Sequence, residues 1–290
     1  MQASFPSKLL LFGEYTVLLG RGALAVPYGA FGGHLSFDAE RPSPFGAWFA
    51  HLSQMDIFDA HQLNATLAKG ICFHSNIPQG YGLGSSGALC AAIYAAFAKT
   101  KTQDAPTLQA IFAQMEGFFH GASSGADPLI SYLGRPMLLR GKEQVANVQL
   151  PDWDDVGQAA FFLLDTCQAR QTAPLVKWFK QQRERAPNFA DALGALNDEA
   201  IAAFLQANHH ALFQLMDNIS AWQWDAMRPL IPHNVQTAWQ LGLASDCFRL
   251  KLCGAGGGGF LLGFTNDWPA AAALLHGFTI RAIEWAVLRE

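Results

Sequence analysis

The sequence predicts a chain of mixed helices and strands in two halves, on three observations. Strand-like and helix-like runs alternate along its 290 residues, glycine-rich turns punctuate them at 80–87 and 254–259, and a polar break, PDWDDVGQ at 151–158, separates an N-terminal half (1–158) from a C-terminal half (159–290). Apolar residues make up 51% of the chain and Asp, Glu, Lys and Arg only 14%. An ordinary globular chain carries about 25% charged residues, so a large buried core is expected and disorder is excluded. Nineteen basic residues against twenty-three acidic ones give a net charge of −4 with no basic run, which argues against nucleic acid as a partner. Five cysteines, an odd number without a CxxC pair, give no support to a zinc site or a disulfide framework. The apolar stretch Leu9 to Phe12 is followed by Glu14 and no small-residue cleavage site, and the run Gly87 to Ala98 is too short to span a bilayer. A cytoplasmic protein with no membrane partner is expected.

The elements follow in order. Lys8 to Leu19, KLLLFGEYTVLL, reads as a strand, a turn at Gly13-Glu14-Tyr15 and a returning strand. Residues 54–70 read as a helix ended by Gly70, and Ile71 to Ser75 as a strand. A loop with Gly80, Gly82 and Gly84 leads into an alanine-rich helix for which Ser85 and Ser86 supply N-cap chemistry. A helix over Thr107 to Phe119 precedes the loop at 120–127, and Leu129 to Leu139 and Val145 to Leu150 read as strands. Beyond the break come a buried strand at Ala160 to Asp165 and helices at 175–185, 191–206 and 209–222. A strand at Phe248 to Cys253, the second glycine cluster, a helix at 268–276 and a last apolar strand complete the chain.

Three segments have the composition for chemistry. In Pro78 to Gly87, glycines allow close backbone approach, several N–H groups can converge, and the start of the following helix adds positive potential, so polyphosphate is a natural guest. The Lys of a Walker A loop is absent and GxGxxG only half fits; a tight turn that binds nothing is the alternative. Gly254 to Gly259 has five glycines in six positions, which suits either close approach to a ligand or a flexible connector. In EGFFHGASSGAD, one of Glu116 and Asp127 can hold a magnesium ion while the other meets a reacting hydroxyl; a surface Glu and a loop-capping Asp are the alternative.

KLLLFGEYTVLLG at 8–20, IPQGYGLGSSGAL at 77–89, EGFFHGASSGAD at 116–127 and CGAGGGGF at 253–260 occur in the order and spacing of the GHMP small-molecule kinases. The chain resembles that superfamily over nearly its whole length, and within it the mevalonate kinases of bacteria. The resemblance implies an α+β fold of two domains, a ribosomal-protein-like N-terminal domain and a ferredoxin-like C-terminal domain. It implies ATP and Mg2+ as cofactors, and an ATP-dependent transfer to the primary hydroxyl of mevalonate. Phosphomevalonate, homoserine or a sugar as acceptor, and a non-catalytic nucleotide-binding protein, are the alternatives. By similarity, Gly80, Gly82, Leu83, Gly84, Ser85, Ser86 and Gly87 bind the nucleotide, Ser86 and Glu116 ligate the metal, and Asp127 with Lys8 beside it carries the catalysis. Glu14, Tyr15, Ser124, Arg170, Thr172 and Gly257 are implied on the substrate side, with a homodimer as the expected assembly. Tyr15 stands where mevalonate kinases usually have His and phosphomevalonate kinases have Tyr, which leaves the acceptor open.

Overall fold

The computed structural model describes residues 3–121, 123–141, 144–153 and 159–285; the expected boundary after residue 158 adjoins 154–158 and lies outside them. Two compact units emerge, and their segments interleave along the chain. The first takes in Met1–Lys8, Val26–Pro78 and Leu83–Arg135; the second takes in Leu9–Ala25, Gln79–Gly82 and Pro136–Glu290. Strands β1 (Phe5–Phe12) and β2 (Gly22–Phe37) contribute residues to both.

In the first unit, β2 pairs antiparallel with β3 (Ile71–Ser75), His34 lying opposite His74. Its helices are α1 (Gly46–Leu52), α2 (Ala60–Leu67), α3 (Ser85–Phe97), α4 (Ala105–His120) and α5 (Ala126–Leu133). Small residues along α3, among them Gly87, Ala88, Ala91 and Ala92, are buried and allow close helix packing. Tyr94 of α3 meets Phe112 of α4 and Tyr132 of α5 edge to face, with centroids 5.2 and 5.0 Å apart. Helix α4 starts at Asp104, whose side chain accepts from the Thr107 N–H.

In the second unit, the start of β2 pairs with β4 (Met137–Arg140), and β4 pairs with β5 (Gln144–Asn147). A four-stranded antiparallel sheet has the order β7 (Phe248–Leu252), β8 (Phe260–Thr265), β6 (Ala160–Asp165), β9 (Ile280–Ala282). The helices are α6 (Thr172–Arg185), α7 (Asp191–Leu205), α8 (His209–Ala226), α9 (Gln236–Ala244) and α10 (Trp268–Leu274). Phe161, Phe204, Phe264 and Trp285 are buried together with Trp153, which stacks on Phe204 at 5.0 Å.

Three local expectations are corrected. Thr16–Leu19 folds as a 3-10 turn rather than a returning strand, because Tyr15 takes φ 63° and sends the chain out of extended geometry. Leu129–Leu133 is helical, not a strand: Gly125 enters α5 and Gly134 leaves it, both in the left-handed region, and an apolar run of this length is ambiguous by pattern alone. Helix α3 has no side-chain cap from Ser85 or Ser86; Gly84 is its N-cap, at φ 74°.

Candidate active site

In the first unit, β1 delivers Lys8 and the first turn of α5 delivers Asp127, with Lys8 Nζ 3.2 Å from Asp127 Oδ1. The Lys8 N–H donates to Leu83 O at 2.9 Å, which ties the glycine-rich loop to the strand. Ser131 of α5 donates to Pro6 O at 2.6 Å, fixing the helix that carries Asp127 to the strand that carries Lys8. The Asp127 side chain is 35% exposed and the Lys8 side chain 12%, so the carboxylate is open to a ligand while its cation is mostly covered.

The two glycines at the start of α3 are required for different reasons. A Cβ on Gly84, already in the left-handed region, would lie 3.0 Å from Lys8 Cγ and 3.3 Å from Asp127 Oδ2. A Cβ on Gly87 would lie 2.8 Å from Asp127 C and Pro128 N, both backbone atoms that cannot swing aside. Gly87→Ala is therefore expected to cost about 1–3 kcal/mol through overpacking. A urea midpoint unchanged in that variant would contradict the close approach of α3 and α5.

Ser86, in the first turn of α3, donates to Glu116 Oε1 at 2.8 Å, and Ser123 donates to the other carboxylate oxygen. Glu116 is 5% exposed. Burial, together with the neighbouring Glu116 charge, pushes the Cys90 thiol up, so Cys90 is no thiolate nucleophile. Ser124 is exposed; its carbonyl accepts from Gln109 Nε2 at 3.0 Å. Among the described residues no group of three or more His, Cys, Asp or Glu is placed to hold a metal. The Ser86 hydroxyl and Glu116 carboxylate form instead a sparse oxygen pair, which suits Mg2+, an ion that draws much of its shell from phosphate and water.

The second unit holds the other expected substrate-side residues, Glu14, Tyr15, Arg170, Thr172 and Gly257. Glu14 is 1% exposed, and its Oε2 lies 2.7 Å from Lys251 Nζ while its Oε1 accepts from Gln223 Nε2 at 2.6 Å. Lys251 also donates to Leu11 O and Leu252 O, so all three ammonium protons have acceptors. Both side chains are completely buried. Tyr15, 5% exposed, donates to Ala255 O at 2.6 Å and stacks on Phe179 with centroids 4.6 Å apart. Burial pushes the Tyr15 hydroxyl far above the phenol range, with Arg170 opposing and Glu14 adding to the rise, so it remains a neutral donor.

Arg170 donates from Nη1 to Cys253 O, Gly256 O and Gly258 O at 3.1, 3.3 and 3.3 Å. Its N–H donates to Gly80 O at 2.9 Å. Gly82 is exposed, and a Cβ there would fall 1.8 Å from Arg170 Nη2. Gly257 accepts at its carbonyl from Gln168 Nε2 at 3.1 Å, and Thr172 is exposed at the start of α6. Lys251, Gln223, Ser123 and Gln168 escaped the sequence reading. Two basic residues inside the otherwise apolar strand β7, FRLKL, signal charge carried into the core, and both Arg249 and Lys251 are buried.

The family model described as the GHMP kinases N terminal domain matches residues 53–135. A mevalonate kinase of the archaeon Archaeoglobus fulgidus is 28% identical over 298 residues, covering 95% of this chain and 96% of the relative. The crystal structure of L. major mevalonate kinase in complex with R-mevalonate superposes with a TM-score of 0.66 at 19% identity, covering 96% and 90% of the two chains. That of Streptococcus pneumoniae phosphomevalonate kinase in complex with phosphomevalonate and AMPPNP superposes at 0.70 with 14% identity, covering 98% and 100%. At such identities the structures speak for the fold, an α+β one; the acceptor is a separate question. Residues 53–135 thus match the N-terminal domain of the GHMP kinases, and the chain as a whole is similar to mevalonate kinases along nearly its full length.

Proposed function

We propose that this chain transfers the γ-phosphoryl group of ATP, with Mg2+, to the primary hydroxyl of mevalonate, giving 5-phosphomevalonate for isoprenoid precursor synthesis. The class of enzyme is an ATP-dependent phosphotransferase with an alcohol as acceptor. The observation that carries the reading is the Lys8 and Asp127 pair, 3.2 Å apart at the glycine-rich start of α3. Asp127 accepts the proton of the attacking hydroxyl, and Lys8 stabilises the negative charge that develops on the oxygen. The backbone N–H groups opening α3 orient the nucleotide phosphates at the positive end of the helix. Ser86 and Glu116 would hold Mg2+, which when bound offsets charge on the phosphate oxygens. Direct in-line transfer needs no covalent enzyme intermediate.

The acceptor rests on the resemblance to mevalonate kinases. Tyr15, the residue that leaves the acceptor open in the sequence, has its hydroxyl on Ala255 O. ADP release by the purified protein with ATP and Mg2+ against mevalonate, phosphomevalonate, homoserine and galactose tests the reading. Turnover with mevalonate alone is expected; turnover with another acceptor replaces the substrate, and none with any of the four removes the reading.

A further inference from the structure

The seven residues 253–259 have nearly all their carbonyls held by side chains. Arg170 takes those of Cys253, Gly256 and Gly258, Tyr15 that of Ala255, Gln168 that of Gly257, and Thr166 Oγ1 that of Gly259 at 2.7 Å. The N–H groups of Gly257 and Gly259 donate to Leu230 O and Gln168 O at 2.6 and 2.7 Å. In a planar trans peptide the C=O of one residue and the N–H of the next point in opposite directions. Pinning the carbonyls of 253, 255 and 257 therefore aims the N–H groups of Gly254, Gly256 and Gly258 away from the donors, the arrangement of an anion-facing backbone.

Arg170 is the hub of this arrangement. Nη1 carries two protons for three carbonyl oxygens, so at least one is shared, a fan that a planar guanidinium can serve and a compact ammonium cannot. The same side chain sits against Gly82 and Gly254, where an added Cβ would meet Nη2 at 1.8 and 2.7 Å, and its backbone N–H holds Gly80 O. One residue thus braces two glycine-rich segments, 79–82 and 253–259, whose conformation their own residues define poorly. We propose that Arg170 is a positioning residue that presets the glycine loop 253–259. The kinetic part of this proposal rests on the kinase reading; the structural part stands without it.

Hydrogen exchange on the full-length protein is the test. In Arg170→Lys and Arg170→Ala, exchange of the peptide covering 253–260 is expected to accelerate about tenfold or more while a peptide within α3 is unchanged, since the loop alone loses its anchors. With mevalonate and ATP, kcat is expected to fall roughly 30-fold while KM for mevalonate moves less than about threefold, the pattern of a group that acts through the loop it holds. Free guanidinium is expected to restore Arg170→Ala, and ammonium is not. Arg170→Lys, which keeps charge and most of the volume, answers the question if Arg170→Ala fails to fold. Unchanged exchange at 253–260, or a KM for mevalonate raised about tenfold with kcat intact, overturns the proposal. Loss of the kinase reading would show separately, as absence of turnover in the unsubstituted protein, and leaves the exchange result to decide the role of Arg170.

Discussion

Asp127→Asn is expected to lower kcat by roughly 10²–10⁴-fold, the range for loss of a positioned general base. The amide keeps the size and the hydrogen-bonding reach of the carboxylate toward Lys8 but gives up its negative charge and its basicity. ATP affinity is expected to stay close to that of the unsubstituted protein, because the loop and the Ser86 and Glu116 pair are untouched. Steady-state kinetics together with a nucleotide titration separates the two effects. Near-normal turnover in this variant would remove Asp127 from the chemistry.

The second large effect is on stability. Lys251→Met leaves Glu14 buried without its cation, and breaking a buried pair by removing one partner costs about 3–5 kcal/mol. For a chain of this size a loss of that order lowers Tm by roughly 10 °C. The double variant Glu14→Leu with Lys251→Met is expected to be more stable than Lys251→Met alone, since no uncompensated charge is left inside. Thermal melts of the two variants check this. A single variant that melts with the unsubstituted protein would contradict the fully buried pair.

Residues whose role is set by neighbours in sequence were legible; those set by distant partners were not. The order β3, glycine loop, α3 follows from ICFHS, three spaced glycines and an alanine-rich run, each with a local cause in propensity or backbone freedom. Glu116 and Asp127 were visible as two carboxylates on either side of a Gly and Ser loop, and they stand on α4 and in the first turn of α5. The second unit's network was not visible: Glu14 and Lys251 are 237 residues apart, and no local pattern pairs them. The packing of Tyr15 was not visible either. Its backbone sits at positive φ, which turns the ring onto Phe179 and the hydroxyl onto Ala255 O. Segment 16–19 was misread for that reason, because β-prone residues follow a turn whose geometry only the tertiary partners define.

Phosphorus NMR of the purified protein turning over ATP with mevalonate and Mg2+ tests the central claim most directly. A growing phosphomonoester signal in step with ADP is expected, slowed by roughly 10²–10⁴-fold in Asp127→Asn. ADP accompanied only by inorganic phosphate, or a phosphomonoester signal that persists at full rate without the Asp127 carboxylate, would contradict it.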